Sequence, residues 1–118
     1  ELESVEGVDI NQFEHKVCQE MGLIPEIGPR YRTTYFNHIF SSGYSAGYYG
    51  YLWAEVLDKD AFSLFEQTGN VWNIPMATKF KQTFLEKGGS EEPMTLFEQF
   101  AGRKPDDTAF KKGRGLID

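Results

Sequence analysis

Apolar residues in this sequence recur at helical spacing, and glycine or proline stops each run before it grows long. No segment alternates apolar and polar residues for long enough to make a strand. The expectation is an all-α fold of short packed helices with tight glycine and proline joints. Ile10, Phe13, Val17 and Met21 repeat along one helix face, with Asp9 and Gln12 resembling a capping box at the start and Gly22 as the stop. Residues 1–8 read as a frayed lead-in. Pro25, Gly28 and Pro29 make 23–30 a linker or an extended crossing segment. A helix is expected from Arg32 to Phe40, broken by Ser41, Ser42 and Gly43, and a second from near Ser45 to Leu57. Asp60 is placed to cap a short helix through Phe62 and Phe65, stopped by Gly69. Asn73 before Pro75 starts a helix with Met76, Phe80 and Phe84 on one face, stopped by Gly88 and Gly89. The next helix opens at Ser90 or just before Pro93, buries Leu96, Phe97 and Phe100, and ends at Gly102. Asp106 or Asp107 starts a last turn carrying Phe110.

The 118 residues suffice for one domain with a modest core. With 40% hydrophobic and 15% aromatic residues the chain does not read as disordered, and its ten phenylalanines can fill a helical core. A net charge of −6 argues against a nucleic-acid partner. Lys111, Lys112 and Arg114 read as a solvated end rather than a phosphate-tracking groove. No run approaches the roughly 18 apolar residues of a membrane span, so no membrane partner is expected, and no signal peptide is visible. The single cysteine, Cys18, excludes an internal disulfide and fits a reducing compartment. It sits beside the first apolar stripe and reads as a small, buried or half-buried hydrophobe. His15 lies off that stripe and reads as exposed and idle. The pairs Glu91–Glu92 and Asp106–Asp107 read as helix-start charges.

One run departs from this plain helical pattern. His38 to Trp53 reads HIFSSGYSAGYYGYLW, with Tyr44, Tyr48, Tyr49 and Tyr51 set among Gly43, Gly47 and Gly50. Each glycine costs about 1 kcal/mol in a helix interior, so a plain helix is a poor reason for them. If Ser45–Leu57 is one helix, Tyr48, Tyr51 and Glu55 share a face that Tyr44 can join, while Tyr49, Trp53 and Val56 face the core. A phenol with a pKa near 10 is a poor base at neutral pH and a good neutral donor. Two phenols aimed at one point can stabilise a developing oxyanion. The glycines let a peptide backbone approach, and His38 can donate to a carbonyl. The competing reading is packing: rings that fill space and glycines that let helices cross closely. For Glu55, a salt bridge or a hydrogen bond to a tyrosine outweighs a metal or acid–base role.

The stretch PRYRTTYFNHIFSSGYSAGYYGYLWAEVLDKDAF resembles the C-terminal region of the thimet-oligopeptidase-like zinc metallopeptidases. Within them it is most similar to the bacterial peptidyl-dipeptidase (dipeptidyl carboxypeptidase) branch. GGSEEP, LFEQFAGRKPD and the closing GLID follow in the same order, so the resemblance spans nearly all of 9–118. It implies that Tyr51 donates to the tetrahedral oxyanion and that Tyr44 contacts substrate from a flexible glycine-rich loop holding Gly43 and Gly47. It implies that His38 holds the substrate backbone near the scissile bond, with Tyr48 a further tyrosine of the pattern. The six-residue step from His38 to Tyr44 resembles the peptidyl-dipeptidase branch; the eukaryotic branch has a step one shorter.

The family's chemistry also needs an HExxH helix, with two histidines on zinc and a glutamate as base. This sequence has no such motif: its two histidines, His15 and His38, are 23 residues apart. The resemblance therefore implies that residues 1–118 are a single helical piece of the C-terminal catalytic region, without its metal-binding part. Zinc would belong to the parent enzyme and none to this piece, which would be inactive alone. The implied partners are short peptide substrates and the zinc-bearing part of the same chain, in the cytoplasm. Faces made for that part would be exposed and prone to self-association. The alternative is a non-catalytic helical module that binds a peptide or a partner protein.

Overall fold

Asp9 opens the first helix as its sequence predicts: its side chain accepts from the Gln12 N–H at 2.9 Å, half of a capping box. The structure is a computed structural model, and its described residues are 4–118; residues 1–3 of the expected lead-in lie outside them, and 4–8 form no helix. The chain divides into two compact units, which meet in sequence between Tyr48 and Tyr49. All regular structure among the described residues is helical.

The first unit contains α1 (Ile10–Glu20), a 3-10 turn (Thr33–Tyr35) and α2 (Asn37–Phe40). Gly22, at φ +74°, takes the left-handed conformation that stops α1. The helix expected over Arg32–Phe40 is broken at Phe36, whose ψ of 70° is not helical. A long-range tie fixes the 3-10 turn to α1. Glu14 accepts from the Thr33 N–H at 2.9 Å and the Thr33 hydroxyl at 3.0 Å, and it pairs with Arg32. The Thr33 N–H leads the influences that hold the Glu14 carboxyl below its ordinary range, outweighing the opposing effect of burial. Cys18 is half-buried, as its sequence position suggests, and His15 is exposed and hydrogen-bonded to Gln19.

The second unit contains α3 (Gly50–Gln67), α4 (Ile74–Phe80) continuing into a π turn (Lys81–Leu85), α5 (Pro93–Ala101) and α6 (Thr108–Gly113). Asn73 caps α4 as predicted, accepting from the Met76 N–H at 2.9 Å. The π turn widens the helix at Phe84, and Phe80 and Phe84 both reach Phe100, at centroid distances of 5.4 and 5.6 Å. Leu96, Phe97 and Phe100 are buried, as the α5 periodicity predicts. Phe97, Phe100 and Ala61 form the core, with Leu57, Leu64, Phe65 and Met76 packed against it. Gly102, at φ +72°, closes α5 in the left-handed region.

Four expectations in this unit are corrected. The helix expected over Ser45–Leu57 starts only at Gly50 and runs to Gln67, because the Ser–Gly-rich stretch before it turns instead of coiling regularly. Tyr48 therefore lies outside the helix and shares no helical face with Tyr51. Trp53 and Tyr49 are not core: they are 58% and 73% exposed. Asp60 is no cap. It is in the interior of α3, 1% exposed, and accepts from Arg103 Nη1 at 2.7 Å, Arg103 Nη2 at 2.5 Å and the Asp106 N–H at 2.9 Å. Burial pushes its carboxyl up, but the Arg103 and Asp106 donors outweigh this and hold it below the ordinary value. The basic tail is not simply solvated either: Arg114 forks onto Glu55 of α3, and Lys111 pairs with Asp107.

Candidate functional site

In the first unit the segment after α2 folds back on itself through turns, and this brings His38, Tyr44 and Tyr48 together. The His38 ring lies 5.2 Å from Tyr48 and 6.1 Å from Tyr44, edge-on to both. Two rings that the sequence reading did not nominate complete the cluster. Tyr31 is 5.1 Å from His38 and stacks on Phe36 at 5.1 Å, and Phe36 meets Tyr48 edge-on at 4.7 Å. Edge-to-face contacts of this kind are favourable beyond the area they bury. A local signal for these two was available: Tyr31 and Phe36 flank the 3-10 turn just before His38, in the same aromatic-rich stretch.

Arg30 adds a cation. Its guanidinium lies 5.3 Å from the Tyr31 centroid, and interactions with the Tyr31 phenol first, then with Tyr48, raise its already high pKa. Tyr48 is half-buried in this group, whereas Tyr44 is 38% exposed. Aromatic bodies thus sit inside the cluster, and one phenol stands at its edge.

Gly43 and Gly47 flank Tyr44. A Cβ built on either would meet no atom within 4 Å, and neither has a positive φ. Gly50, the third glycine of the run, has the same open space. Among the described residues no helix crosses close to these glycines.

Tyr51 is carried by the second unit, in the first turn of α3, and is 52% exposed. Glu55, one helical turn later, takes an ion pair rather than a metal role. It accepts from Arg114 Nε at 3.1 Å and Nη2 at 2.5 Å, and these bonds lead the influences that hold its carboxyl below the ordinary range. A cavity of about 540 Å³ in this unit, lined by Asp60, Arg103, Lys59 and Lys112 among others, includes none of the nominated site residues.

Among the described residues no three His, Cys, Asp or Glu side chains are grouped as a metal ion requires. His15 is engaged with Gln19, and His38 is packed among rings. These residues do not fit the zinc that the resemblance implies. No helix among them is long and apolar enough to cross a membrane.

Comparison with known proteins gives the family. Oligopeptidase A of Haemophilus influenzae is 50% identical over 82 residues, 70% of this chain and 12% of that protein. Dipeptidyl carboxypeptidase of Escherichia coli is 37% identical over 116 residues, 98% of this chain and 17% of that protein. Probable cytosolic oligopeptidase A of Arabidopsis thaliana is 36% identical over 111 residues, 92% of this chain and 16% of that protein. The chain thus spans less than a fifth of the length of each of these relatives. The family model described as Peptidase family M3 matches residues 1–116, and the chain belongs to that family.

Proposed function

We propose that these 118 residues are the substrate-side part of a zinc peptidase that cleaves short, unstructured peptides. The observation that carries this reading is the assembly of His38, Tyr44 and Tyr48 in one cluster, with open space over Gly43 and Gly47. Tyr51 donates its phenolic proton in a hydrogen bond to the oxyanion that forms on the attacked carbonyl, and Tyr44 supplies a second donor. His38 holds a backbone carbonyl of the peptide. Tyr48 supports His38 by ring packing. Gly43 and Gly47 leave room for the peptide backbone to lie close to the chain.

The zinc supplies the polarising and water-activating chemistry when bound, and it would be held by side chains other than the described ones. By the same reading the 118 residues form a single helical piece of the catalytic region and do not hydrolyse peptides alone. Exposed apolar side chains support this. Tyr49, Leu52, Trp53, Trp72 and Ile74 in the second unit, and Ile24, Ile27 and Phe40 in the first, are each more than half exposed. They suit a covering by the zinc-bearing part of the polypeptide, and self-association in its absence. The setting is cytoplasmic, in keeping with the name of the Arabidopsis relative, probable cytosolic oligopeptidase A. No nucleic-acid or membrane partner is invoked.

Release of C-terminal dipeptides is the expected product pattern, because the relative named dipeptidyl carboxypeptidase aligns over 98% of the chain. Internal cleavage is the second reading, favoured by the higher local identity, 50%, to oligopeptidase A. The test is peptide hydrolysis by the natural full-length protein, with products identified by mass spectrometry. Tyr51→Phe should lower kcat by about two orders of magnitude with KM little changed. An unchanged kcat overturns the oxyanion role. Tight peptide binding without turnover by the natural protein would instead favour the non-catalytic binding module.

A further inference from the structure

We infer that Glu14 of α1 is a positioning residue for the candidate site: by capping the 3-10 turn it fixes the stacked rings of Tyr31 and Phe36, against which the His38 imidazole rests. The inference rests on the substrate-holding role proposed above for His38. Every residue in this chain of contacts belongs to the first unit.

The first N–H groups of a helical segment have no acceptor within it. Arg32, at the N-cap position of the turn, makes no side-chain cap. Glu14 supplies the acceptor from 19 positions away: its Oε2 takes the Thr33 N–H at 2.9 Å and the Thr33 hydroxyl at 3.0 Å. Its Oε1 pairs with Arg32 Nε, and Arg32 Nη2 reaches Asn11 Oδ1, one turn earlier on α1, at 3.4 Å. The Glu14 side chain is 12% exposed, so water has little access to these bonds. Three donors from two consecutive residues, on one carboxylate, set both the place and the tilt of the turn. Apolar packing in this unit is thin by comparison. None of its described residues is fully buried, and a cavity of about 250 Å³ borders α1 and the turn, lined by Phe13, Val17, Pro29, Tyr31 and Phe36 among others. Polar bonds therefore carry a larger share of the attachment than they would across a filled core.

The turn decides where two rings go. Tyr31 precedes Arg32, and Phe36 follows Tyr35. The Tyr35 N–H donates to the Arg32 carbonyl at 3.0 Å and closes the turn. The two rings then stack, with centroids 5.1 Å apart and planes 19° from parallel. The His38 ring lies 5.1 Å from Tyr31 and 6.1 Å from Phe36. Its contacts with Tyr44 and Tyr48 come from the turns that follow α2. Glu14 thus governs one side of the imidazole and leaves the other side in place. A hydrogen bond to a peptide carbonyl depends on direction as well as distance, so a shift of the stacked pair re-aims His38 without unseating it.

The test uses the natural full-length protein and the variants His38→Ala, Glu14→Gln, Thr33→Val, Thr33→Ser and His38→Ala/Glu14→Gln, assayed on a short peptide. Glu14→Gln keeps the shape of the side chain and loses its charge and one acceptor oxygen. It should raise KM about threefold with kcat held, because His38 holds the bound peptide. A merely structural loss would instead lower the folded fraction, and so lower the apparent kcat with KM unchanged. Thr33→Val keeps the N–H donor and loses the hydroxyl; it should raise KM by a smaller factor, and it carries the test if Glu14→Gln does not fold. Thr33→Ser keeps both donors and should lie closer to the wild type than Thr33→Val. Amide exchange of Thr33 should quicken in Glu14→Gln. On the His38→Ala background Glu14→Gln should add nothing further, since the group it positions is gone. If His38→Ala raises KM but Glu14→Gln and Thr33→Val leave it unchanged, or Glu14→Gln adds its full factor on the His38→Ala background, the positioning inference is overturned and the role of His38 stands. If His38→Ala keeps the wild-type KM, the role of His38 falls and the inference with it.

Discussion

Removing Arg103 tests how the second unit is held together. Asp60 is 1% exposed and takes three hydrogen bonds, two of them from the Arg103 guanidinium. In Arg103→Met the carboxylate keeps the Asp106 N–H and the smaller influence of the Ser63 side chain, and loses its cation. Breaking a buried ion pair by deleting one partner costs about 3–5 kcal/mol, because the remaining charge is stranded. The Arg103 side chain is 39% exposed, so water reaches the carboxylate once it is gone, and we take the lower end, about 3 kcal/mol. That lowers the melting temperature of a domain this size by about 12 °C or more. The pH dependence should also change sign. In the wild type the Asp60 carboxyl is held below its ordinary value of 3.8, so the pair's stabilisation is fully present above that value and is lost as pH falls through the lowered one. Without Arg103, burial dominates and pushes the carboxyl up. The folded state then takes up a proton before the unfolded chain does, and Arg103→Met gains stability as pH falls from about 7 towards 5. The assay is urea unfolding followed by far-UV circular dichroism at both pH values. Complete unfolding of the variant at neutral pH agrees with the argument. A loss under about 1 kcal/mol, with the wild-type pH trend retained, refutes it.

Phe100→Ala removes a ring that is 1% exposed and meets Phe65, Phe80 and Phe84, so it should cost about 3–5 kcal/mol by the same unfolding assay. Trp53→Ala should cost under about 1 kcal/mol in the 118-residue chain, because the indole is 58% exposed. Gly47→Ala should leave stability within about 1 kcal/mol, since its Cβ has open space at an ordinary φ, yet should raise KM for peptides in the full-length protein. An unchanged KM would mean that the substrate backbone does not pass over Gly47.

Local rules were legible wherever one side chain settles a local question. Asn73 caps α4, Gly102 takes the left-handed turn after α5, and Leu96, Phe97 and Phe100 show their burial in their spacing. Asp60 misled because a carboxylate ahead of apolar residues looks like a cap in sequence. Its partner, Arg103, is 43 positions away, and nothing local announces it. Arg114 misled in the same way: as one of several cations near the end it reads as solvated, and its role depends on Glu55, 59 positions earlier. The aromatic–glycine run was recognised as special, but its conformation was not. Treated as a helix from Ser45, it put Tyr48 on a face with Tyr51 and buried Trp53. The chain instead turns through 41–49 and places Tyr48 against His38 and Phe36. Ring contacts across turns have no period to read, so the nearness of Tyr31 and Phe36 to His38 in sequence was the one signal for them.

The central claim is that these residues form one side of a peptidase site whose metal is held elsewhere in the same polypeptide. Intact mass and zinc content of the natural gene product, measured together by native mass spectrometry, test it most directly. The account predicts a chain several hundred residues longer that carries zinc, while the isolated 118-residue chain retains none. A natural product of this length alone, or stoichiometric zinc on the isolated chain, would contradict it.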